Sequence, residues 1–496
     1  MKKSQTKNGV IILIFLSVLA KIIGVFYRVP LFAVLGAQGM GIYQLVFPLY
    51  ALAIALASGG APVAVARFTS LCLCENNDEK IEKTTDTALV LFGSVGFVLC
   101  VGLCVFARYV SEFLGNFDAK LPLIALSPSV FLSTVIAVLR GHCQGVGKTK
   151  SVGVSFVSEQ FLKLSGIGFA LTFSKIDTVL AVVGAMLGIT LGEFITALFL
   201  TIGYFKNKRF SFSFDKTIIK GLVLCGLSVS VGLLIVPLGN FFEGAIVVTK
   251  LTEVMQKTDA TALYGLLGGV VNPIISMPAV VTSSFCSWFL PRLCATTKKE
   301  RRVKFGAYAK LPFVFSLVAS FSVLIFAKEI LSLLYPLEGD QLQVSVNLLI
   351  IGSPIVFVSC ALSLVTVYLQ SENKSHIPSV NLLIATLIKL AVLPLAVQSF
   401  SVYGVQVCSV ALYLIAFVLG SIQSIARGFG FSVKTLSFIL FLGVSFLLVT
   451  GGIHALFPSL LGCIVAFVIG VSVSGIIFIK LANIRVCRGK SKKIAK

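Results

Sequence analysis

The sequence predicts an all-α polytopic membrane protein with about 14 transmembrane helices, and three observations carry that reading. First, the 496 residues are 57% hydrophobic and only 12% charged, whereas about 25% of residues are charged in soluble domains. Second, apolar stretches near the roughly 20 residues needed to cross a bilayer recur along the whole sequence. No polar run between them is long enough to build a separate soluble domain, so a soluble enzyme and a single-anchor protein are both excluded. Third, the short segments of alternating character that mark membrane β-barrels are absent.

The expected spans lie near 9–36, 42–67, 87–108, 121–141, 152–173, 178–204, 220–250, 262–290, 311–334, 344–370, 377–397, 401–425, 434–457 and 460–482. The first is a retained span rather than a signal peptide, because Lys21 and Arg28 interrupt it and no small-residue cleavage site follows. Basic residues are retained on the cytoplasmic side. With the N-terminus inside, 31 of the 41 Lys and Arg fall in cytoplasmic segments, six in outer loops and four within apolar helices. A cell-membrane protein with both termini in the cytoplasm is therefore expected. Its net charge of +22 is spread over short loops rather than gathered on one folded face, so anionic lipid headgroups, not nucleic acid, are the expected counter-charge.

Catalytic and metal motifs are missing. Ten of the twelve cysteines sit in or beside apolar helices at irregular spacing, where a free thiol behaves as a small hydrophobe. Cys72 and Cys74 form a C-x-C with neither a second pair nor a nearby histidine cluster, and His142, His376 and His454 are isolated. No catalytic residue, metal site or cofactor is expected, and the protein reads as a transporter rather than an enzyme.

An internal repeat gives that reading its shape. Gln144, Lys148 and Lys163 recur as Gln370, Lys374 and Lys389 at an offset of 226, with FLKL around the first lysine and LIKL around the second. Pro48 and Arg67 recur as Pro273 and Arg292 at an offset of 225. The turns RFSFSF at Arg209 and RGFGFS at Arg427 follow the sixth and twelfth spans. The expected organisation is a six-helix lobe over 1–210, a second over 211–430, and two extra helices with a basic cytoplasmic tail over 431–496. Six is even, so the lobes run parallel and their axis lies along the membrane normal, as in transporters that work by alternating access.

An ionisable group within the bilayer costs at least about 2.5–3.5 kcal/mol on insertion scales, so each is a functional candidate. Lys21 and Arg28 lie seven residues, two turns, apart on one face of the first helix, and Pro30 bends that helix beyond them. Lys163 follows Glu159 by one turn, and that pair either offsets its own insertion cost or faces cargo. Lys389 has no acid within one turn. Lys250 precedes Tyr264 by 14 residues much as Arg28 precedes Tyr43 by 15, and is either a lobe-mate of Arg28 or an ordinary outer-loop lysine. Glu159, Glu193 and Glu243 are the main acidic exceptions. A basic interior calls for an anionic cargo. The candidate substrate-binding set is Lys21, Arg28, Lys163, Lys250, Lys389 and Glu159, with Glu243 a candidate coupling residue.

The segment KIIGVFYRVPLFAVLGAQGMGIYQLVFPLY at 21–50 resembles the first-helix signature of the stage V sporulation protein B group of polysaccharide and lipid-linked-sugar flippases. That group belongs to the multidrug/oligosaccharidyl-lipid/polysaccharide flippase superfamily. LRGHCQGVGKTKSVGVSFVSEQFLKL at 139–164 is similar to its fourth-to-fifth helix turn, and DATALYGLLGGVVNPIISMPAVVTSSFCSWFLPRL at 259–293 to its eighth helix. The resemblance implies two six-helix lobes around a central cavity, and a polyprenyl-tail groove at helices thirteen and fourteen. Arg28 falls at the place of a basic cavity residue. The implied cargo is a polyprenyl-pyrophosphate sugar, an anionic lipid-linked glycan precursor like lipid II. It would move from the inner to the outer leaflet in peptidoglycan wall, spore-cortex or capsule polysaccharide biosynthesis, driven by a coupling cation or the membrane potential. The sequence departs from the pattern where Ser371-Glu372-Asn373 replaces a glycine-containing turn, and where Glu243 replaces an aspartate. The main alternative is a Na⁺- or H⁺-coupled multidrug extruder of the same superfamily, which would want an acidic cavity for cationic drugs. A membrane glycosyltransferase would need paired carboxylates in a sizeable outer loop, and the outer loops here are short.

Overall fold

The computed structural model describes residues 2–75, 77–206, 215–425, 433–456 and 465–471, and all regular structure among them is helical. The first expected span is built by α1 (Lys2–Phe26) and the start of α2 (Arg28–Ser58). They break at Tyr27 because the ring of Pro30 crowds the carbonyl four residues back, that of Phe26, and offers it no N–H. Within α2 the chain turns at Gly36, whose φ of 64° and ψ of −175° belong to a region only glycine enters cheaply. That turn separates the first span from the second, which continues through Gly59 and Gly60 into α3 (Ala61–Cys74).

Four further spans follow. They are α4 (Asp78–Phe113), α5 (Lys120–Gly145), the interrupted pair α6 (Thr149–Lys163) and α7 (Ser165–Phe173), and α8 (Thr178–Phe205). Their starts are fixed by side-chain caps: Asn77 accepts from the Lys80 N–H and Asp177 from that of Val179, filling donors that a helix N-terminus leaves open. The remaining helices are α9 (Lys216–Thr252), α10 (Lys257–Gly265), α11 (Asn272–Cys294), α12 (Lys298–Tyr308), α13 (Lys310–Ile325), α14 (Ala327–Leu334), α15 (Gly339–Ser371), α16 (His376–Phe400), α17 (Val402–Ile425) and α18 (Val433–Leu456). A six-residue π turn, Leu266–Val271, joins α10 to α11.

Ten helical stretches among the described residues are long and apolar enough to cross a membrane. Four of the fourteen expected spans do not count separately among the described residues, the thirteenth because its apolar part is the shorter helix Phe441–Leu456. The first two expected spans run together through Phe15–Cys74. The fifth is divided at Leu164 into helices too short to cross alone, and most of the last lies outside the described residues. So do the turns RFSFSF and RGFGFS.

The described residues group into two compact units. One runs up to Pro273 and takes in Thr386–Val405; the other is Ile274–Ala385 with the described residues from Gln406 onward. In the first unit, α2 and α10 cross so closely that a Cβ on Gly41 would lie 2.0 Å from the Thr261 carbonyl oxygen and one on Gly265 2.0 Å from that of Ala37. In the second, Phe289, Leu293, Phe305, Phe313, Leu364 and Tyr368 form a buried core, and Ser320 donates to the Ser353 carbonyl at 2.8 Å.

The repeated turns are alike in detail. After α5, the Gly147 N–H donates to the Gln144 carbonyl and Lys148 N–H to that of Cys143, at 3.1 and 2.8 Å. After α15, 226 residues on, Asn373 N–H donates to the Gln370 carbonyl and Lys374 N–H to that of Leu369, at 3.0 and 3.1 Å. Gly147 has φ 82° and Asn373 φ 61°. The departure from glycine is thus absorbed by asparagine, the side chain that best tolerates the left-handed region. Pro128 within α5 and Pro354 within α15 stand at the same offset.

Candidate functional site

The site begins with a stripe of small residues. On α8, Gly184, Gly188 and Gly192 recur every fourth residue and so share a face, and they bring its backbone against α6 and α7. A Cβ on Gly188 would lie 2.1 Å from the Gly166 Cα, and one on Gly192 3.0 Å from the Lys163 nitrogen. Close backbone approach of this kind is how small residues pack helices in membranes. It delivers the next side chain, Glu193, to the lysine of α6.

Four charges meet there. Lys163 Nζ donates to Glu159 Oε1 at 2.8 Å and lies 3.3 Å from Glu193 Oε1. Arg140, from α5, donates to Glu159 Oε2 at 2.7 Å and through Nε to Ser155 Oγ at 2.9 Å, while its guanidinium lies 4.1 Å from the Phe156 ring centroid. Glu193, 2% exposed, accepts from the Tyr50 hydroxyl and, at 2.7 Å, from Ser133 Oγ. Two cations and two carboxylates leave these four groups neutral together, with α2, α5, α6 and α8 tied to one another. Such a network persists in an apolar interior only when every member is satisfied.

A second buried pair lies in the same unit, where Lys389 Nζ donates to Glu243 Oε2 at 2.6 Å. Lys389 and Lys163 are therefore both neutralised, one by a glutamate on α9 and the other by glutamates on α6 and α8. Glu243, the candidate coupling residue, already holds an ammonium.

The other expected residues are placed differently. Arg28, half-buried, has its guanidinium 6.0 Å from the ring centroid of Phe47. No carboxylate among the described residues reaches it. Phe47 stacks on Tyr43 and leans toward Tyr50, with centroids 5.7 Å apart in each case. Arg28 and the charge cluster are thus both met from α2, Arg28 by Phe47 and Glu193 by Tyr50. Lys21 stands on the exposed side of α1. Lys250 pairs with Glu253 at 2.8 Å at the exposed end of α9 and joins neither cluster.

Sequence reasoning missed Arg140 and Tyr50. Arg140 reads as one of three basic residues in a loop, yet it is 9% exposed and inside α5. The available signal was its place in an apolar helix before the polar turn.

Duplicated turns, lone buried ion pairs and long apolar helices define a polytopic membrane protein of the kind that carries solutes or lipids between leaflets. Within that class, this chain belongs to the polysaccharide biosynthesis protein family, whose model matches residues 6–294. It is similar to stage V sporulation protein B of Bacillus subtilis (strain 168), at 24% identity over 404 residues that cover 78% of this chain and 77% of that protein. Among solved structures, lipid II flippase MurJ in its inward closed conformation matches with a TM-score of 0.74 at 12% identity, over 96% of this chain and 100% of that one. An inward-facing multidrug resistance MATE family transporter of the MOP superfamily gives 0.67 at 18% identity, over 82% and 95%. Both structural likenesses establish the fold.

Proposed function

We propose that this protein is a flippase that moves an anionic lipid-linked saccharide, of the polyprenyl-pyrophosphate class, from the inner to the outer leaflet by alternating access. One observation carries the reading: Arg28, within an apolar segment, is half-buried and no carboxylate among the described residues reaches it, while Lys163 and Lys389 are both neutralised. A diphosphate supplies the missing negative charge. Arginine takes it through two parallel N–H···O contacts, stronger where water is scarce. The names of the relatives support the same cargo class, since one solved neighbour is a lipid II flippase. Lys21 adds a second positive charge seven residues away, whereas Lys250, paired with Glu253, stands outside the site. Lys163, Glu159 and Lys389 act by holding their compact unit in shape. The six-helix lobes over 1–210 and 211–430, the two extra helices and the cytoplasmic termini complete the scheme, with anionic lipid headgroups as counter-charge for the loops.

Driving force comes from a coupling ion or the membrane potential. Lys389 takes the role of resident cation at Glu243, so an incoming ion there must displace an ammonium.

Translocation of a fluorescent polyprenyl-pyrophosphate saccharide in proteoliposomes, normalised to folded protein, tests the reading. Arg28→Ala should abolish it at unchanged protein abundance. Arg28→Lys should restore it in part, since charge is kept and the fork is lost. Full transport by folded Arg28→Ala overturns the proposal, and export of cationic drugs without saccharide translocation favours a multidrug extruder.

A further inference from the structure

The two carboxylates of the first unit's charge cluster face different chemistry. Each oxygen of Glu159 meets a group that can only donate: Lys163 Nζ on one, Arg140 Nη2 on the other. A protonated Glu159 would find no acceptor for its O–H and would leave two cations short of an anion. Glu193 is surrounded otherwise. It meets one cation, Lys163, at 3.3 Å, and its remaining neighbours are the hydroxyls of Tyr50 and Ser133, which lie 3.3 Å from each other.

A hydroxyl both donates and accepts. When Glu193 is ionised, Ser133 Oγ donates to Oε2. When a proton sits on Oε2, the Ser133 hydroxyl can rotate and accept from it at the same 2.7 Å, with no heavy atom moving. Lys163 then keeps Glu159 as its counter-ion at 2.8 Å. Burial favours the neutral carboxyl, and Glu193 has the less complete compensation by positive charge.

We propose that Glu193 is a proton-binding site, a carboxyl that alternates between an anion shared with Lys163 and an acid that donates to Ser133. The step is the addition of one proton from solvent to Oε2; no other covalent bond changes, and the cluster goes from neutral to one positive charge. The ligand assigned is the proton rather than a metal ion, because Lys163 and Arg140 already fill the cation positions of the cluster.

The groups facing Glu193 are Tyr50 from α2, Ser133 from α5, and Glu159 and Lys163 from α6, with Arg140 of α5 behind Glu159. The sequence of α7 carries no ionisable residue. The other titratable group on α8, Tyr204, lies eleven residues along the helix and donates to Asp86. The charge change therefore falls on Lys163, which is left with Glu159 as its counter-ion. A role for this proton in transport rests on the flippase reading, whereas its binding does not.

Infrared difference spectroscopy of the full chain in lipid bilayers tests the binding directly. Acidification should produce the C=O band of a protonated carboxyl. That band should be lost in Glu193→Gln. In Ser133→Ala it should move to higher frequency as its hydrogen bond is removed. A wild-type spectrum without the band, a band unchanged in Glu193→Gln, or a Ser133→Ala band at the wild-type position each overturns the proposal. In parallel, an imposed pH gradient should alter saccharide translocation by wild type and not by Glu193→Gln. Wild type that shows the band but moves no saccharide refutes the flippase reading and leaves the proton site standing.

Discussion

Breaking the Lys389–Glu243 pair is the sharpest perturbation the fold offers, because both side chains are 8–10% exposed and the contact is 2.6 Å. Across that distance, unit charges at an effective dielectric constant of about 20 attract by about 6 kcal/mol. Taking the two groups out of water costs several kcal/mol each, so most of that attraction is spent on desolvation. Lys389→Met removes the attraction and leaves the Glu243 carboxylate buried without its ammonium, at an expected cost of about 3–5 kcal/mol. Glu243→Gln strands the lysine with a similar penalty. The double variant Glu243→Gln/Lys389→Met removes both charges and should recover much of the loss of either single variant, since neither charge is left buried alone. Unfolding in mixed detergent micelles, read as a double-mutant cycle, measures all three. A double variant whose loss equals the sum of the singles would show no coupling between the two residues and refute the argument.

Three further outcomes follow from the geometry. Gly41→Ala puts a methyl 2.0 Å from the Thr261 carbonyl, where backbone must move, and should cost about 1–3 kcal/mol as overpacking does, read as a fall in the thermal midpoint. Asn373→Gly should leave that midpoint unchanged, whereas Asn373→Val should lower stability by about 1–2 kcal/mol, the cost of the left-handed region for a branched side chain. A cysteine at Thr297, in an otherwise cysteine-free chain, should resist a membrane-impermeant thiol reagent in intact cells, the outcome expected if the seven basic residues clustered around that segment are retained in the cytoplasm.

The fold was largely legible because membrane helices declare themselves by length and apolarity, without reference to partners. Span limits held wherever one residue forces a turn: the first span was expected to end near 36, and Gly36 is where the backbone turns. The repeat was legible because its turn needs fixed hydrogen bonds, and 226 residues apart the same carbonyls accept from the same positions. The charge partnerships were not. Glu243 and Lys389 are 146 residues apart and nothing local links them, although each is a lone intramembrane charge that needs an opposite one. Only the local pair Glu159–Lys163 could be named, since a spacing of four puts both on one face. Arg140 was hidden by its own helpfulness to topology, counting as a loop charge while its side chain turned inward.

That distinction changes how the basic composition bears on cargo. A formal charge of +22 suggests an interior crowded with positive groups, but most of them lie in loops and the buried ones are largely spoken for. Lys163 and Arg140 are balanced by Glu159 and Glu193, Lys389 by Glu243, and Lys250 by Glu253 at the surface. An anionic headgroup therefore cannot be held by the sum of these residues, because each ammonium it recruited would abandon a buried carboxylate at a cost of several kcal/mol. On the flippase proposal, affinity comes from a group whose charge no carboxylate among the described residues balances, and Arg28 beside Phe47 fits that condition. A proton on Glu193 would be the one change in the cluster that adds positive charge without expelling a residue. On the two proposals, a proton at Glu193 and an anion at Arg28 would favour one another electrostatically, and whichever binds first would make the protein more receptive to the other.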